Sequence, residues 1–196
     1  MTLHELGVKH RTDKATHGYL NTYEMYFDRI NIDILDVLEI GVRTGASLRM
    51  WSEHWPYNNI DGVDINPDCL KHSTERISVF IGNQTDREFL DTLRSSYDLI
   101  IDDGSHINKW TVETFDYLFP RLNKGGIYIL EDMQCSYQNL DHIDAKNKWS
   151  GMDLVPDLPL QDRKTIDDLV GRLSHHVDAG KIDSIHIHKG FIVIKK

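Results

Sequence analysis

The fold is decided by one stretch, Asp36-Val37-Leu38-Glu39-Ile40-Gly41-Val42-Arg43-Thr44-Gly45-Ala46-Ser47. It begins with an apolar run that is typical of a buried strand, continues through a turn with two glycines, and ends in a segment of helical composition. Glycine can adopt a positive φ and lets a ligand come close to the backbone. The glycines are spaced GxxxG and not GxGxxG, the spacing of dinucleotide-binding turns. The stretch therefore indicates a strand, turn and helix that bind a cofactor without a pyrophosphate.

Strand-like and helical patterns alternate on both sides of this stretch, from about residue 20 to residue 130, which predicts repeated βα units and a mostly parallel sheet. The predicted strands lie near 36–40, 60–65, 77–81, 97–102 and 126–131. The predicted helices lie near 45–55, 68–75, 86–95, 109–122 and 164–177. Residues 184–195 alternate around Lys189-Gly190, which is typical of a tight hairpin. We predict an α/β, Rossmann-like fold whose seven-stranded, mostly parallel sheet ends in a C-terminal antiparallel hairpin.

The length of 196 residues suits a single domain, residues 1–196. Residues 1–34 precede the first predicted strand and form a predicted N-terminal cap. Residues 133–163 are polar and contain proline, and a connection of this length in a compact domain is usually a functional lid or a mobile segment. We therefore predict a lid insertion there.

The composition restricts the classes of partner. The net charge of -9 argues against a nucleic-acid backbone, because proteins that bind nucleic acid usually present a clustered basic face. The N-terminus lacks the apolar core of a signal peptide, and no run approaches the ~20 apolar residues of a membrane span. Cys69 and Cys135 fit no metal-ligand spacing, so free thiols in a reducing compartment are expected. We expect a cytoplasmic protein that binds neither nucleic acid nor membrane and acts on a small substrate.

Carboxylates follow two of the predicted strands directly. The two stretches are Ile101-Asp102-Asp103-Gly104-Ser105-His106 and Ile129-Leu130-Glu131-Asp132. Ligands of open α/β sheets bind beyond the carboxyl ends of the strands. Asp103, Glu131 and Asp132 are therefore expected to meet as a divalent-metal site with a base beside it. The competing interpretation is that these acids only cap turns and that His106 only hydrogen-bonds its own turn.

A third acidic motif, Gly62-Val63-Asp64-Ile65, follows the second predicted strand. Asp64 comes roughly 20 positions after the glycines, where a carboxylate can accept both hydroxyls of a ribose. The motif thus supports a nucleoside-containing cofactor.

Taken together, these motifs resemble the class I S-adenosylmethionine-dependent methyltransferases. The resemblance covers residues 35–132 as an ordered series, together with the terminal hairpin. Three further motifs are similar to those of the metal-dependent sugar O-methyltransferases that tailor macrolides and related glycosylated natural products, and of cephalosporin-hydroxylase-type proteins. These motifs are Thr12-Asp13-Lys14 with His17-Gly18-Tyr19, Asp102-Asp103-Gly104-Ser105-His106, and Glu131-Asp132.

The resemblance implies a role for each matching residue. The Mg²⁺ ligands would be Asp103, Glu131 and Asp132. Catalysis would use His106 as the general base beside the metal ligand Asp103. The S-adenosylmethionine site would include Glu39, Gly41, Gly45, Asp64 and Asp102, and Lys14 and His17 would close over cofactor or substrate.

The expected activity is Mg²⁺-dependent transfer of a methyl group from S-adenosylmethionine to a sugar hydroxyl of a glycosylated natural product or polysaccharide. The acceptor is thus a small molecule or glycan, and the family also suggests a homo-oligomer. Two alternatives stay open at this point. One is an iron-dependent hydroxylase that uses the same carboxylates, and the other is a non-catalytic cofactor-binding protein.

Overall fold

A computed structural model describes residues 1–28, 36–137 and 163–196. Its centre is a seven-stranded sheet in the order β3-β2-β1-β4-β5-β7-β6. The strands are β1 (Asp36–Ile40), β2 (Asn59–Asp64), β3 (Ile77–Ile81), β4 (Tyr97–Asp102), β5 (Leu122–Leu130), β6 (Ser184–His188) and β7 (Phe191–Lys195). Strands β1 to β5 pair in parallel, whereas β7 is antiparallel to both β5 and β6. The predicted fold class and the C-terminal hairpin are confirmed.

Helices cover both faces of the sheet. They are α1 (Leu3–His10), α2 (Asp13–His17), α3 (Leu20–Phe27), α4 (Ala46–His54), α5 (Arg87–Leu90), α6 (Asn108–Leu118) and α7 (Arg163–Asp178). Short 3-10 helices span Pro67–His72, Phe119–Arg121 and Met133–Tyr137. In the ranges that the structure describes, no helix is both long and apolar enough to cross a membrane.

Two hydrophobic clusters, one on each face, hold the sheet between these helices. Along β4, Leu99 and Ile101 pack into the cluster that includes α1, α3 and α4, while Ile100 packs into the cluster that includes α6 and α7. This alternation follows from the two-residue period of a strand. Burial on both faces explains why the central strands are almost continuously apolar. Each fully buried aliphatic side chain contributes roughly 1.5–3 kcal/mol, so the sheet is a rigid base for the loops at its edge.

The turn after β1 lies directly against the loop after β4. Gly41 has a φ of 96°, and a Cβ at this position would lie 2.0 Å from the carbonyl oxygen of Asp103. The amide of Asp103 in turn donates to the carbonyl of Ile40 at 3.0 Å. Only glycine fits this contact, so Gly41 lets the two loops meet at the carboxyl edge of the sheet.

Four predicted elements differ from the structure. The segment near 68–75 is a 3-10 helix, and the predicted helix near 86–95 is only the single turn α5. After α5 the amides of Thr92 and Leu93 bond to carbonyls three residues back, which tightens the chain and ends the helix. Strand β5 starts at Leu122 and not near 126, because Leu122 already pairs with Tyr97 across a local irregularity in register. The predicted helix end at 122 was therefore too late.

The two predicted accessory segments are described only in part. In the predicted cap, residues 1–28 form the helices α1, α2 and α3. In the predicted lid, residues 133–137 form a 3-10 helix, and residues 138–162 lie outside the described residues. The lid and the single-domain boundaries stay predictions.

Candidate functional site

A cavity of about 590 Å³ opens at the carboxyl edge of the sheet. Its walls come from the loops after β1, β2, β4 and β5 and from the N-terminal helices. Six of the predicted site residues line it: His17, Gly41, Asp64, Asp103, His106 and Asp132. Its size is typical of a pocket for a small molecule.

Backbone strain is concentrated in the walls of this cavity. Among the described residues, the non-glycine residues with positive φ are Arg11, Arg43, His106 and Asp132. All of them line the cavity. Each such conformation costs on the order of 1 kcal/mol or more, and strain of this kind collects at functional sites. The observation favours a functional role for the cavity over simple turn capping.

Three side chains at one end of the cavity have the geometry of a metal-binding group. One ligand atom from each of Asp103, His106 and Asp132 lies within 4.8 Å of the other two. The Nε2 atom of His106 lies 3.8 Å from Oδ1 of Asp103 and 3.8 Å from Oδ2 of Asp132. Two of the three acids predicted to meet, Asp103 and Asp132, thus converge from neighbouring strands with an imidazole. The oxygen donors fit a hard divalent cation.

Hydrogen bonds fix the carboxylate of Asp132. Its Oδ1 atom accepts from the hydroxyl of Tyr19 and from Nε2 of Gln134, each at 2.9 Å. Nδ1 of His17 lies 3.8 Å from the same oxygen. Burial alone would raise the pKa of Asp132, but the charge of His106 and these hydrogen bonds outweigh burial and lower the pKa. Asp132 is therefore a carboxylate, the form that binds a cation.

Beneath the cavity, a buried lysine lies between three carboxylates. The Nζ atom of Lys14 is 2.6 Å from Oδ2 of Asp103, 2.8 Å from Oε1 of Glu131 and 3.2 Å from Oε1 of Glu39. The side chain of Lys14 is 1% exposed. Burial by itself would lower the pKa of Lys14, but the three carboxylates raise it well above the ordinary value. Lys14 is the countercharge that allows these acids to be buried.

Burial acts on the two deepest acids of this cluster in the opposite direction to its effect on the lysine, because it raises their pKa values. Burial raises the pKa of Glu39, against the lowering effect of Lys14. Burial likewise raises the pKa of Glu131 well above its ordinary value. Glu39 also accepts a hydrogen bond from Nε1 of Trp51 at 3.0 Å. Both acids lie behind the cavity wall.

Glu131 therefore differs from the other two predicted metal ligands. The carboxylates of Glu131 and Asp103 both contact Lys14, but among the described residues the group around His106 contains only Asp103 and Asp132. The role of Glu131 as a ligand stays a prediction. A bound cation would share the Glu131 carboxylate with Lys14.

Asp102 lies outside the cavity wall, although it precedes Asp103 directly. Its carboxylate accepts from the Tyr128 hydroxyl at 3.5 Å and from the Gly104 amide at 3.4 Å. Burial raises the pKa of Asp102 to about 7. Its contact with a cofactor stays a prediction.

The other end of the cavity is formed by Asp64 and the GxxxG turn. Oδ2 of Asp64 accepts from the amides of Val42 and Arg43 at 2.9 and 2.8 Å, and Oδ1 accepts from the amide of Asn66 at 2.8 Å. These bonds fix the carboxylate, and each of its oxygens can accept a further bond. Gly45, with a φ of 67°, caps α4.

Sequence reasoning missed the partners that hold the acids in place. Tyr19 lay within a quoted motif but received no role, and Gln134 was assigned only to the predicted lid. The only available signal for Tyr19 was its place beside Lys14 and His17 in the N-terminal motif.

The chain is similar in sequence to known methyltransferases. Residues 38–133 match a family described as "Methyltransferase domain". The chain is 38% identical over 143 residues to 8-demethyl-8-alpha-L-rhamnosyl tetracenomycin-C 2'-O-methyltransferase of Streptomyces olivaceus. This alignment covers 67% of this chain and 38% of that protein. The chain is also 31% identical over 211 residues to demethylmacrocin O-methyltransferase of Streptomyces fradiae. This second alignment covers 99% of this chain and 53% of that protein. The chain thus spans about half the length of these relatives or less.

A solved structure agrees with these matches. MycE methyltransferase from the mycinamycin biosynthetic pathway, in complex with Mg, SAH and mycinamycin VI, superposes with a TM-score of 0.80. It is 28% identical, and the match covers 100% of this chain and 54% of that one. The described fold and these relatives point to the same family.

Proposed function

This chain belongs to the class I methyltransferases, and from that premise we propose that it transfers a methyl group from S-adenosylmethionine to a sugar hydroxyl with the help of Mg²⁺. The observation that carries the proposal is the single cavity that joins the GxxxG turn to the group formed by Asp103, His106 and Asp132. The acceptor is a glycosylated natural product or a polysaccharide. This class of acceptor is supported by the names of the tetracenomycin and macrocin relatives.

The cofactor occupies the end of the cavity formed by the loops after β1 and β2. Gly41 lets the loops after β1 and β4 meet at this end, because a side chain there would collide with the Asp103 backbone. Asp64 accepts the ribose hydroxyls with an already fixed carboxylate. The other residues of the proposed cofactor site are Gly45, Glu39, Asp102, Lys14 and His17.

The metal is held by Asp103 and Asp132, with Glu131 as the third ligand. Mg²⁺ takes oxygen ligands in preference to nitrogen, so the carboxylates hold it and the imidazole of His106 is left for another task. Three protein oxygens leave positions for the acceptor. The lowered pKa of Asp132 supports its own role as a ligand, since a ligand must be deprotonated, whereas burial raises the pKa of Glu131.

His106 performs the proton transfer. When bound, S-adenosylmethionine supplies the methyl group and Mg²⁺ acidifies the acceptor hydroxyl. His106 accepts the hydroxyl proton at Nε2, the nitrogen that faces the two carboxylates. As the acceptor oxygen bonds to the methyl carbon, the carbon–sulfur bond breaks and the electron pair remains on sulfur. Asp103 and Asp132 stabilise the positive charge that the imidazole gains.

We propose that the reaction takes place in the cytoplasm and that the protein is a homo-oligomer.

The proposal is tested by methyl transfer to a panel of glycosides, followed by mass spectrometry. Product is expected with Mg²⁺ and not with EDTA. The His106→Ala variant should lose roughly 10²–10⁴-fold in kcat but keep its affinity for S-adenosylmethionine in calorimetry. The outcome that contradicts the proposal is a chain that does not bind S-adenosylmethionine with or without Mg²⁺.

The same assay separates the alternatives. An iron-dependent hydroxylase requires iron and dioxygen, so product formation in anaerobic buffer with Mg²⁺ alone argues against it. A non-catalytic cofactor-binding protein would bind S-adenosylmethionine and methylate none of the acceptors.

A further inference from the structure

In each of the two carboxylates that face His106, the two oxygens have different partners. Oδ1 of Asp103 faces the imidazole at 3.8 Å, while Oδ2 contacts Nζ of Lys14 at 2.6 Å. Oδ2 of Asp132 faces the imidazole at 3.8 Å, while Oδ1 accepts from the Tyr19 hydroxyl at 2.9 Å. One oxygen of each acid is thus held from outside, and the other points toward the proposed metal position.

Both outer partners come from the N-terminal helices. Lys14 lies on α2 and Tyr19 directly precedes α3, so one short segment reaches acids at the ends of β4 and β5. We propose that Lys14 and Tyr19 are positioning residues that hold the outer oxygens of Asp103 and Asp132 so that the inner oxygens are set for a divalent cation. This inference rests on the metal site of the proposed function.

Tyr19 is well suited to hold an oxygen in place. Its side chain is buried, with the ring centroid 4.9 Å from that of Phe191 and 6.2 Å from that of Tyr23. These contacts fix the position of the hydroxyl before any ligand arrives. Asp132, by contrast, has a strained backbone with a φ of 52° and a side chain that is 19% exposed. A rigid donor therefore fixes a carboxylate that would otherwise rotate.

Lys14 holds its acid by charge and by burial. Asp103 shares the ammonium group with Glu131 and Glu39, so the lysine cannot follow one carboxylate if that carboxylate turns. Partners in the outer shell of a metal site orient the ligands, and their loss costs roughly 10–100-fold in metal affinity. The structure gives both acids such a partner.

The test compares two Tyr→Phe variants from the same part of the chain. Tyr19→Phe removes the hydroxyl that holds Asp132. Tyr26→Phe removes a hydroxyl on α3 that lies 2.7 Å from Nε2 of His188, away from the cavity. Affinity for Mn²⁺, as a spectroscopic substitute for Mg²⁺, is measured by electron paramagnetic resonance without cofactor or acceptor. We expect affinity to fall roughly tenfold in Tyr19→Phe and to stay unchanged in Tyr26→Phe.

A second variant, Gln134→Ala, removes the other donor to the same oxygen of Asp132. Gln134 is exposed, so this change leaves the fold intact even if Tyr19→Phe lowers stability. We expect weaker Mn²⁺ binding in Gln134→Ala and weaker binding still in the double variant. In the methylation assay, the Mg²⁺ concentration for half-maximal rate should rise while the rate at saturating Mg²⁺ recovers. A purely structural role would not produce this split.

The outcomes separate this inference from the proposed function. If the unaltered chain binds Mn²⁺ and the Tyr19→Phe and Gln134→Ala variants bind it equally well, the positioning role is wrong and the methyltransferase proposal is unaffected. If the unaltered chain binds no divalent cation, the metal site itself is wrong, and this inference falls with it.

Discussion

Two pairs of adjacent acids end neighbouring strands, and the two members of each pair have different surroundings. Asp102 and Glu131, the inner acids, are 4% and 5% exposed. Asp103 and Asp132, the outer acids, have side chains that are 20% and 19% exposed and line the cavity. One residue along the chain therefore separates a buried group from one that faces a ligand.

The difference shows that adjacent residues at a strand end can have different roles, one in stability and the other in ligand binding. Successive side chains of a strand point to opposite sides, so the two members of an acidic pair at its end have different surroundings. An inner acid must be neutralised, because a buried and unpaired charge is very costly. Glu131 is paired with Lys14, and burial raises the pKa of both Glu131 and Asp102, which favours their protonated forms. The outer acids are more exposed, so their charges cost less to hold, and they can bind a cation.

The largest effect expected from this comparison is that of Lys14→Met. The change leaves Glu39, Asp103 and Glu131 without their shared countercharge. Breaking a buried ion pair costs roughly 3–5 kcal/mol, and the three partners place this variant near the upper end. The free energy of unfolding, measured by urea denaturation without metal, should fall by about 5 kcal/mol.

Lys9→Met is the matched control for this change. Lys9 is 49% exposed and pairs with Glu53 at the surface, where an ion pair contributes roughly 0–1 kcal/mol. Equal effects of the two variants would show that the inner cluster is no more important for stability than a surface pair.

The second prediction concerns the pH dependence that comes from Asp102. Burial raises its pKa to about 7, against about 3.9 for an unfolded chain. The folded state thus holds a proton that the unfolded state has lost between these values. The stability that this proton contributes is complete below about pH 4 and is lost as the pH rises through about 7. Asp102→Asn should remove this pH-dependent loss. The free energy of unfolding of the variant, relative to that of the unaltered chain, should therefore increase by up to about 4 kcal/mol between pH 4 and pH 8.

Asp91→Asn tests a pH dependence of the free energy of unfolding that has the opposite sign. A hydrogen bond from the Tyr117 hydroxyl lowers the pKa of Asp91, an exposed acid. Its contribution to stability is present above the unfolded pKa and lost as the pH falls, so this variant should differ most from the unaltered chain at neutral pH. Urea denaturation at several pH values in EDTA measures both variants. An Asp102→Asn difference that does not change with pH would contradict the assignment of Asp102 as a proton-holding inner acid.

Much of the fold could be predicted from the sequence because it depends on local patterns. The apolar runs of β1 and β4 and the alternation around Gly190 identify the parallel strands and the hairpin. The edge at which the acids gather also follows, since parallel strands end at the same side of a sheet. Asp103, His106 and Asp132 were brought together in this way.

The orientation of each acid could not be predicted, because it depends on residues far away in the chain. Lys14 precedes Asp103 by 89 positions, and Tyr19 precedes Asp132 by 113. No local pattern shows that a helical lysine will enter the sheet edge and pair with Glu131. The assignment of acids to inner and outer positions is a property of packing, and it required the structure.

The smallest of the three effects should come from Asp132→Asn, which tests the outer position. The amide oxygen of the new side chain can still accept from Tyr19 and Gln134, so the free energy of unfolding without metal should change by no more than about 1 kcal/mol. Loss of a residue that only contacts a metal ligand can lower metal affinity by roughly a hundredfold, or roughly 2.7 kcal/mol. Removal of the charge of a ligand itself should lower it by at least as much. Mn²⁺ binding measures this loss, and Asp64→Asn, at the other end of the cavity, should bind Mn²⁺ like the unaltered chain. If Asp132→Asn instead destabilised the fold and kept its metal, Asp132 would be an inner acid, and the division between stability and chemistry at these strand ends would be wrong.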